Sequence, residues 1–322
     1  MERHNFTAIV PCLNEESTIE MVVLEIRKVM KEAVIVVIDN GSTDRTNEIA
    51  RGLSCQVLEQ PNPGKGNAFR LAINNLNSDI FFMVDGDNTY SLDNLNEAIS
   101  MVSSGTYDMV IGRRVSKDYN VKSRSGHDFG NWFFTKITNL FFHHGIEDSL
   151  SGFRVMNAGF VKSFQGGNSK FELEVELNTH ARVLGSNVGT VETLIRSRPE
   201  GSISKLSTFS DGFRIISRLV QLFKNEKPMV SFLIFALPWF LVSFLAIENV
   251  LRTFFATKEI ANFPSLIGGV GCFIVGINLW GAGLIVSRIQ MVRRDLSIYA
   301  YREFQGKHVR YNGSMELYDE KS

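Results

Sequence analysis

Asp85-Gly86-Asp87 sets two carboxylates two residues apart across a glycine. In an extended segment such residues point the same way, so both are expected to face one crevice, with Gly86 letting a ligand approach the backbone. Two hard oxygen donors suit Mg2+ or Mn2+ bridging a diphosphate. Asp39-Asn40-Gly41-Ser42-Thr43-Asp44 admits two readings: a turn with a helix N-cap, or hydrogen-bonding groups for a nucleotide base or ribose. Gly64-Lys65-Gly66 is too short for a Walker loop, yet it can place a cation and bare N–H groups near phosphates at a helix start. Arg113, Arg114, Lys117, Lys122 and Arg124 form a basic stretch further on.

The elements around these residues alternate. Strands are expected at Phe6–Pro11, Val34–Ile38, Cys55–Glu59, Ile80–Val84 and Met109–Ile111. Helices are expected from Ser17 (a capping-box pattern with Glu20), from Thr43 to Arg51, near Asn67–Asn75 and over Leu92–Ser103. Strands apolar on both faces, separated by helices, predict an α/β domain with a mostly parallel sheet covered on both sides. Ligands bind beyond the carboxyl ends of such strands, where Asp39, Asp85 and Asp87 fall. No GxGxxG follows the first strand, which argues against a dinucleotide site. Leu150–Met156 and Val188–Leu194 read as later strands and Phe171–Gly185 as a helix. On that helix Glu172, Glu174 and Glu176 read as a solvated face. The adjacent His143 and His144 diverge on a helix and make a poor metal pair. Phe133, Phe134, Phe141 and Phe142 read as core or membrane contact.

The 322 residues carry 34 Lys+Arg against 34 Asp+Glu, so net charge gives no argument for a nucleic-acid partner. Charge is distributed unevenly, however. Pro228–Ile247 and Ile260–Ser287 hold no charged residue, and each reaches the roughly 20 residues needed to cross a bilayer core. The link from Glu248 to Glu259 is short, which predicts a helical hairpin with both flanks on one side. Lys224, Lys227, Arg288, Arg293 and Arg294 mark that side as cytoplasmic. Gly268, Gly269, Gly271 and Gly276 could pack against other helices, leaving a homo-oligomer open. Ser207–Asn225 reads as a basic amphipathic helix at the interface, and the tail after Tyr301 as loosely ordered. Met1 leads almost directly into a strand, so no signal peptide is expected. Three scattered cysteines, Cys12, Cys55 and Cys272, fit a reducing compartment.

Pro11-Cys12-Leu13-Asn14-Glu15, the Asp39–Asp44 run, Gly64-Lys65-Gly66-Asn67-Ala68 and Asp85-Gly86-Asp87 occur in an order and at spacings that resemble family 2 glycosyltransferases. Asp148-Ser149-Leu150-Ser151-Gly152-Phe153-Arg154 and Arg198–Leu206 are similar to the subgroup of dolichol-phosphate mannosyltransferase and bacterial polyprenyl-phosphate glucosyltransferases. The likeness covers about Phe6 to Lys227, and the paired spans match the bacterial subgroup. It implies a GT-A fold over residues 1–206. With the charge pattern, the expected organisation continues as a juxtamembrane helix over 207–227, a transmembrane hairpin over 228–287 (spans about 229–250 and 263–287) and a cytoplasmic tail over 288–322. The expectation is an integral membrane protein with catalytic domain and both termini cytoplasmic, in a bacterial or archaeal plasma membrane. The resemblance implies a UDP- or GDP-hexose, a divalent cation and a polyisoprenyl phosphate as partners, and the spans add membrane lipid.

Carried over by motif, Pro11, Asn14, Glu15, Asp39, Gly41, Ser42, Asp44, Lys65, Asp85 and Gly86 would surround the nucleotide. Asp85 and Asp87 would hold the metal. Arg113, Arg114, Arg124, Ser151, Arg198, Ser204 and Lys205 would receive the acceptor phosphate. Asp87, Arg124, Arg198 and Lys205 would carry the catalysis with Asp148, which is either an auxiliary base or a structural partner of Arg154. Asn40 stands where the family often has a second Asp, and Thr89 where mannosyltransferase relatives often have Gln. The reaction so implied is an inverting transfer of a hexose to an acceptor phosphate that is largely ionised at neutral pH. Two other readings stand beside it. One is transfer to a different membrane or polysaccharide acceptor, although the QxxRW-type motif of processive synthases does not occur here. The other is a non-catalytic partner that binds nucleotide sugar.

Overall fold

A computed structural model describes residues 5–62, 64–115, 148, 150–166, 173–196, 224, 227–259 and 262–319, with side chains up to residue 304. Two compact units divide the chain: Met1–Ser204 with Leu296–Ser322, and Lys205–Asp295.

In the first unit, short runs centred on apolar residues form the strands. They are β1 (Phe6–Cys12), β2 (Val34–Asp39), β3 (Gln56–Glu59), β4 (Ile80–Met83), β5 (Met109–Val115), β6 (Arg154–Asn157) and β7 (Val188–Leu194). The helices between them are α1 (Ile19–Val29), α2 (Thr46–Gly52), α3 (Lys65–Asn75), α4 (Leu95–Ser103), α5 (Ala158–Lys162) and α6 (Leu173–Leu184). The sheet order is β3-β2-β1-β4-β6-β5-β7. All pairings are parallel except those of β6, which runs antiparallel to both β4 and β5. The chain turns to opposite sides of β1 at β2 and β4, so a crevice opens beyond their carboxyl ends. Asp39 and Asp85 stand at that edge.

Both sheet faces are apolar because both are covered. Alternate β1 residues Ala8 and Val10 join α1 and α4 in one core, whereas Ile9 joins α3 and α6 in the other. His180 of α6 lies in the second core, its Nε2 3.0 Å from Ser163 Oγ and 3.1 Å from the Phe160 carbonyl. Burial pulls its pKa down from the usual 6.5 to about 4. The neutral form is therefore favoured by folding. That stabilisation is complete above pH 6.5 and is lost as pH falls toward 4, by on the order of 3 kcal/mol. The apparent Tm should accordingly drop over this interval, with a flatter profile in His180→Gln. Parallel profiles would assign the acid sensitivity elsewhere.

Two features depart from expectation. Ser17 does not cap α1; the helix starts at Ile19 with Thr18 at its N-cap and no side-chain cap bond. Thr18 Oγ1 instead donates to the Gly86 carbonyl at 2.7 Å, so the turn that carries the aspartates outcompetes the local cap. The tail after Tyr301 is helical, as part of a helix running Phe263–Asp319. Tyr301 Oη donates to Asp108 Oδ1 at 2.5 Å, and its ring lies against Gly159 within the first unit.

The second unit holds α7 (Pro228–Thr257) and the first part of α8 (Phe263–Asp319). Both are long and apolar enough to cross a membrane. Gly283 meets Phe232, Gly276 meets Phe240, and Gly269 meets Ala246 and Ile247, so the two run antiparallel along a seam of glycines seven apart. Removing Cβ there lets the helices approach closely. Gly269 and Gly276 are thus used within the hairpin, whereas a Cβ on Gly268 or Gly271 would meet nothing within 4 Å. A Cβ on Gly276 would come within 2.7 Å of the Phe240 ring. Gly276→Leu should therefore cost about 1–3 kcal/mol by overpacking, read as a lower Tm in detergent, whereas Gly268→Leu should leave Tm within error.

Candidate active site

The crevice is built by stitching loops together. Asn14 Oδ1 accepts from Thr43 N at 2.8 Å, and Asn14 N donates to Ser42 Oγ at 3.0 Å. Asp44 accepts from Glu16 N and Thr46 N, at 3.1 and 3.0 Å. Burial would raise its carboxyl, but a bond from Thr46 Oγ1 at 2.5 Å, with these two, holds it below the usual range. Asp39 is buried, accepting from Ser42 N at 2.9 Å and Asn47 Nδ2 at 3.0 Å. Asn14, Ser42 and Asp44 thus fasten the loop after β1 to the loop after β2. Gly41, at φ +87, provides the turn between Asp39 and Ser42.

With its amide oriented by its neighbours, Asn40 donates to the Asn62 carbonyl at 3.0 Å and accepts from Gly64 N at 2.8 Å. A carboxylate could make only the second bond, which gives the departure from Asp at this position a physical reason. Gly64 has φ +124, a conformation side chains resist, and Lys65 follows as the first residue of α3.

Asp85-Gly86-Asp87 occupies a turn rather than an extended segment. Its glycine serves β1: a Cβ on Gly86 would lie 2.5 Å from Cys12 Sγ. Beyond it, Asp87 Oδ1 accepts from Thr89 N at 3.1 Å and from Thr89 Oγ1 at 2.5 Å. Asn88, at φ +55, accepts from Arg196 Nη1 at 2.9 Å. Arg196 also grips Glu25 of α1, at 2.6 and 2.7 Å. Arg196 and Glu25 brace the turn from outside, and their separation of 171 residues left no local pattern to reveal them.

Lys65 Nζ forms an ion pair with Asp85 Oδ1 and lies 2.5 Å from Glu174 Oε1. The expectation of a solvated glutamate face fails at Glu174, which is buried. Burial alone would lower the Lys65 pKa, but the two carboxylates push it up, so the ammonium stays charged. Burial, reinforced by Glu174, raises Asp85. Glu174 itself is held low, because Lys65 outweighs its burial. Fully buried Arg154 lies behind, donating to the Ser151 carbonyl at 3.1 Å and to Asn178 Oδ1 at 2.7 Å. Burial draws Arg154 down to about 10, so it remains cationic at neutral pH.

Asp148 pairs with Arg114, at 2.7 and 2.8 Å, and also accepts from Arg114 N at 3.2 Å. This fork gives Asp148 a structural partner in Arg114. Ser151 is fully buried, its Oγ accepting from Phe153 N at 3.3 Å; it builds the turn and is not presented to a phosphate. Arg113 pairs with the exposed Glu192. Pro11, next to last in β1, has its carbonyl beside Gly86, and Glu15 N is held by Thr46 Oγ1 at 2.8 Å. Arg124, Arg198, Ser204 and Lys205 lie outside the described residues, as do His143, His144, Glu172, the Phe133–Phe142 run and most of the expected amphipathic helix.

Residues 7–164 match Glycosyl transferase family 2, and this segment runs from β1 through the DGD turn to α5. The chain belongs to that family. It is 27% identical over 89% of its length to glycosyltransferase AglJ of Haloferax volcanii, covering 94% of that protein. It is also 27% identical, over 66% of its length, to the dolichyl-phosphate hexose transferase of the same organism, covering 92% of it. Glucosyl-3-phosphoglycerate synthase from Mycobacterium tuberculosis, solved with Mn2+ and uridine-diphosphate-glucose, shares the fold at a TM-score of 0.53 and 18% identity; the match covers 69% of this chain and 78% of that one. The fold is therefore GT-A.

Among the described residues, no group of three or more His, Cys, Asp or Glu could hold a metal ion. The turn offers the two carboxylates Asp85 and Asp87. That donor set fits an ion such as Mg2+ or Mn2+, which keeps waters and takes substrate phosphate oxygens to complete its shell.

Proposed function

We propose that this glycosyltransferase transfers a hexose, with inversion, from a nucleoside-diphosphate sugar to a polyisoprenyl phosphate at the cytoplasmic membrane face. The observation that carries the reading is a lysine–carboxylate cluster at the carboxyl end of β4, half-buried at Lys65 and Asp85 and buried at Glu174, in a chain that also bears two helices long and apolar enough to cross a membrane. The relative named as a dolichyl-phosphate hexose transferase supports the same acceptor class. Lys224 and Lys227 before the hairpin, with Arg288, Arg293 and Arg294 after its second span, favour a cytoplasmic site.

The chain's own groups divide the work. Asp39 and the stitched loops fix the wall against which base and ribose would lie. A divalent ion held by Asp85 and Asp87 would supply Lewis-acid stabilisation of the charge on the departing diphosphate. Lys65 adds a cation beside that charge. Arg124, Arg198 and Lys205, with Ser204, bind and orient the acceptor phosphate, guanidinium geometry matching phosphate oxygens. That phosphate is already largely ionised, so positioning it beside the anomeric carbon supplies much of the rate. Asp148 orients Arg114 through its two-point grip, and Arg114 and Arg113 line the approach to the acceptor.

A donor screen decides the chemistry: full-length protein with Mg2+ or Mn2+, undecaprenyl phosphate and a panel of UDP- and GDP-hexoses, with the lipid product read by mass. The expected product is a glycosyl phospholipid from one donor class. Absence of any lipid-linked sugar across the panel, alongside transfer to a sugar acceptor, would favour the polysaccharide reading.

A further inference from the structure

Lys65 holds two carboxylates whose surroundings differ. The Glu174 side chain is 7% exposed and that of Asp85 29%. Glu174 sits in the first turn of α6, where the helix dipole favours an anion, and buried Arg154 adds a favourable charge from behind. Asp85 ends β4 at the crevice and is also repelled by Asp87. Of the two, only Asp85 belongs to the pair that suits a divalent ion, yet the ammonium already sits on it.

We propose that Lys65 is a built-in competitor for the divalent cation at Asp85, and that Glu174 is the positioning residue that takes the ammonium when the ion binds. The inference rests on the metal-bound donor of the proposed function. A second cation on Asp85 is repelled while Lys65 stays, so metal alone binds weakly. Withdrawal to Glu174 leaves the ammonium one carboxylate partner instead of two and frees a donor, since it has three N–H groups. A diphosphate oxygen can take that donor. Metal and nucleoside diphosphate would then bind each better with the other present, a coupling that must be reciprocal.

The test reads Mn2+ binding to the full-length chain in detergent by the loss of free-ion EPR signal, with neither donor nor acceptor added. Lys65→Met should bind Mn2+ at least fivefold more tightly than wild type, and adding Asp85→Asn should abolish the gain. Glu174→Gln should weaken binding at least threefold, because Lys65 then stays on Asp85. In the Lys65→Met background the same Glu174→Gln change should alter affinity less than twofold. A purely electrostatic role for Glu174 would weaken binding equally in both backgrounds and overturn its part. Unchanged or weaker Mn2+ binding by Lys65→Met overturns the competitor. Should that single variant misfold, Lys65→Met/Glu174→Gln preserves the net charge; it too must bind Mn2+ more tightly than wild type, and equal or weaker binding overturns the proposal. No acceptor enters this measurement, so its failure is distinct from failure to glycosylate a lipid phosphate.

Discussion

Asp87→Ala should lower the initial rate of sugar transfer about 1,000-fold at saturating donor. The side chain has two jobs that can be separated. Its charge is half of the only carboxylate pair in the turn, and stabilising a leaving diphosphate is the largest electrostatic demand of the reaction. Its Oδ1 also accepts two bonds from Thr89, which fix the turn. Asp87→Asn retains an oxygen for Thr89 and removes the charge, so it should lose nearly as much activity while keeping the wild-type Tm. Should Asp87→Asn retain more than a tenth of the activity, the carboxylate would be a turn-former and the metal assignment would fall. Thr89→Val should have a smaller effect, because the charge remains.

Gly152→Ala should lower kcat/KM roughly 100-fold while the protein still folds. Gly152 lies under Asp85: a Cβ there would overlap the Asp85 carboxylate, both oxygens of which are within contact range. Gly152 N also donates to Tyr90 Oη at 2.8 Å, which pins the glycine from the other side. The side chain that must yield is therefore Asp85, and displacing a reacting group by about 1 Å can cost 100-fold. Gly159→Ala is the matched control, since its Cβ would make only ordinary contacts at 3.5 Å and beyond. Equal kinetics for the two variants would show that the Asp85 position is not critical. Steady-state kinetics with a Tm for each variant reads the outcome.

The contrast between those two aspartates and Glu174 shows what the residues alone could reveal. The strands β1, β2 and β4 are legible because each is a short β-branched or aromatic run between turn residues, β3 because turn residues bound it, and the acidic ends of β2 and β4 follow from that register. The antiparallel insertion of β6 between β4 and β5 was not legible, since no local property of Arg154–Asn157 encodes the direction of its neighbours. Alternating glutamates near a helix start usually face water, whereas Glu174 is buried against Lys65, 109 residues away. Asp148 is gripped by Arg114 across 34 residues, a partner that no local spacing marks. Side chains whose partners are distant in sequence carry no periodic signal, whereas hairpin helices do: charge-free length marked both spans, and the glycines at 269, 276 and 283 fell on their seam.

The acceptor is tested most directly by offering both kinds in one vessel. Purified full-length protein receives a labelled nucleotide sugar, a divalent ion, undecaprenyl phosphate and an excess of a soluble sugar acceptor, and the products are partitioned between organic and aqueous phases. The account predicts that label enters the organic phase as a sugar joined to the lipid phosphate, and that Asp87→Asn abolishes it. Label accumulating on the soluble acceptor, with the lipid phosphate untouched, would contradict it.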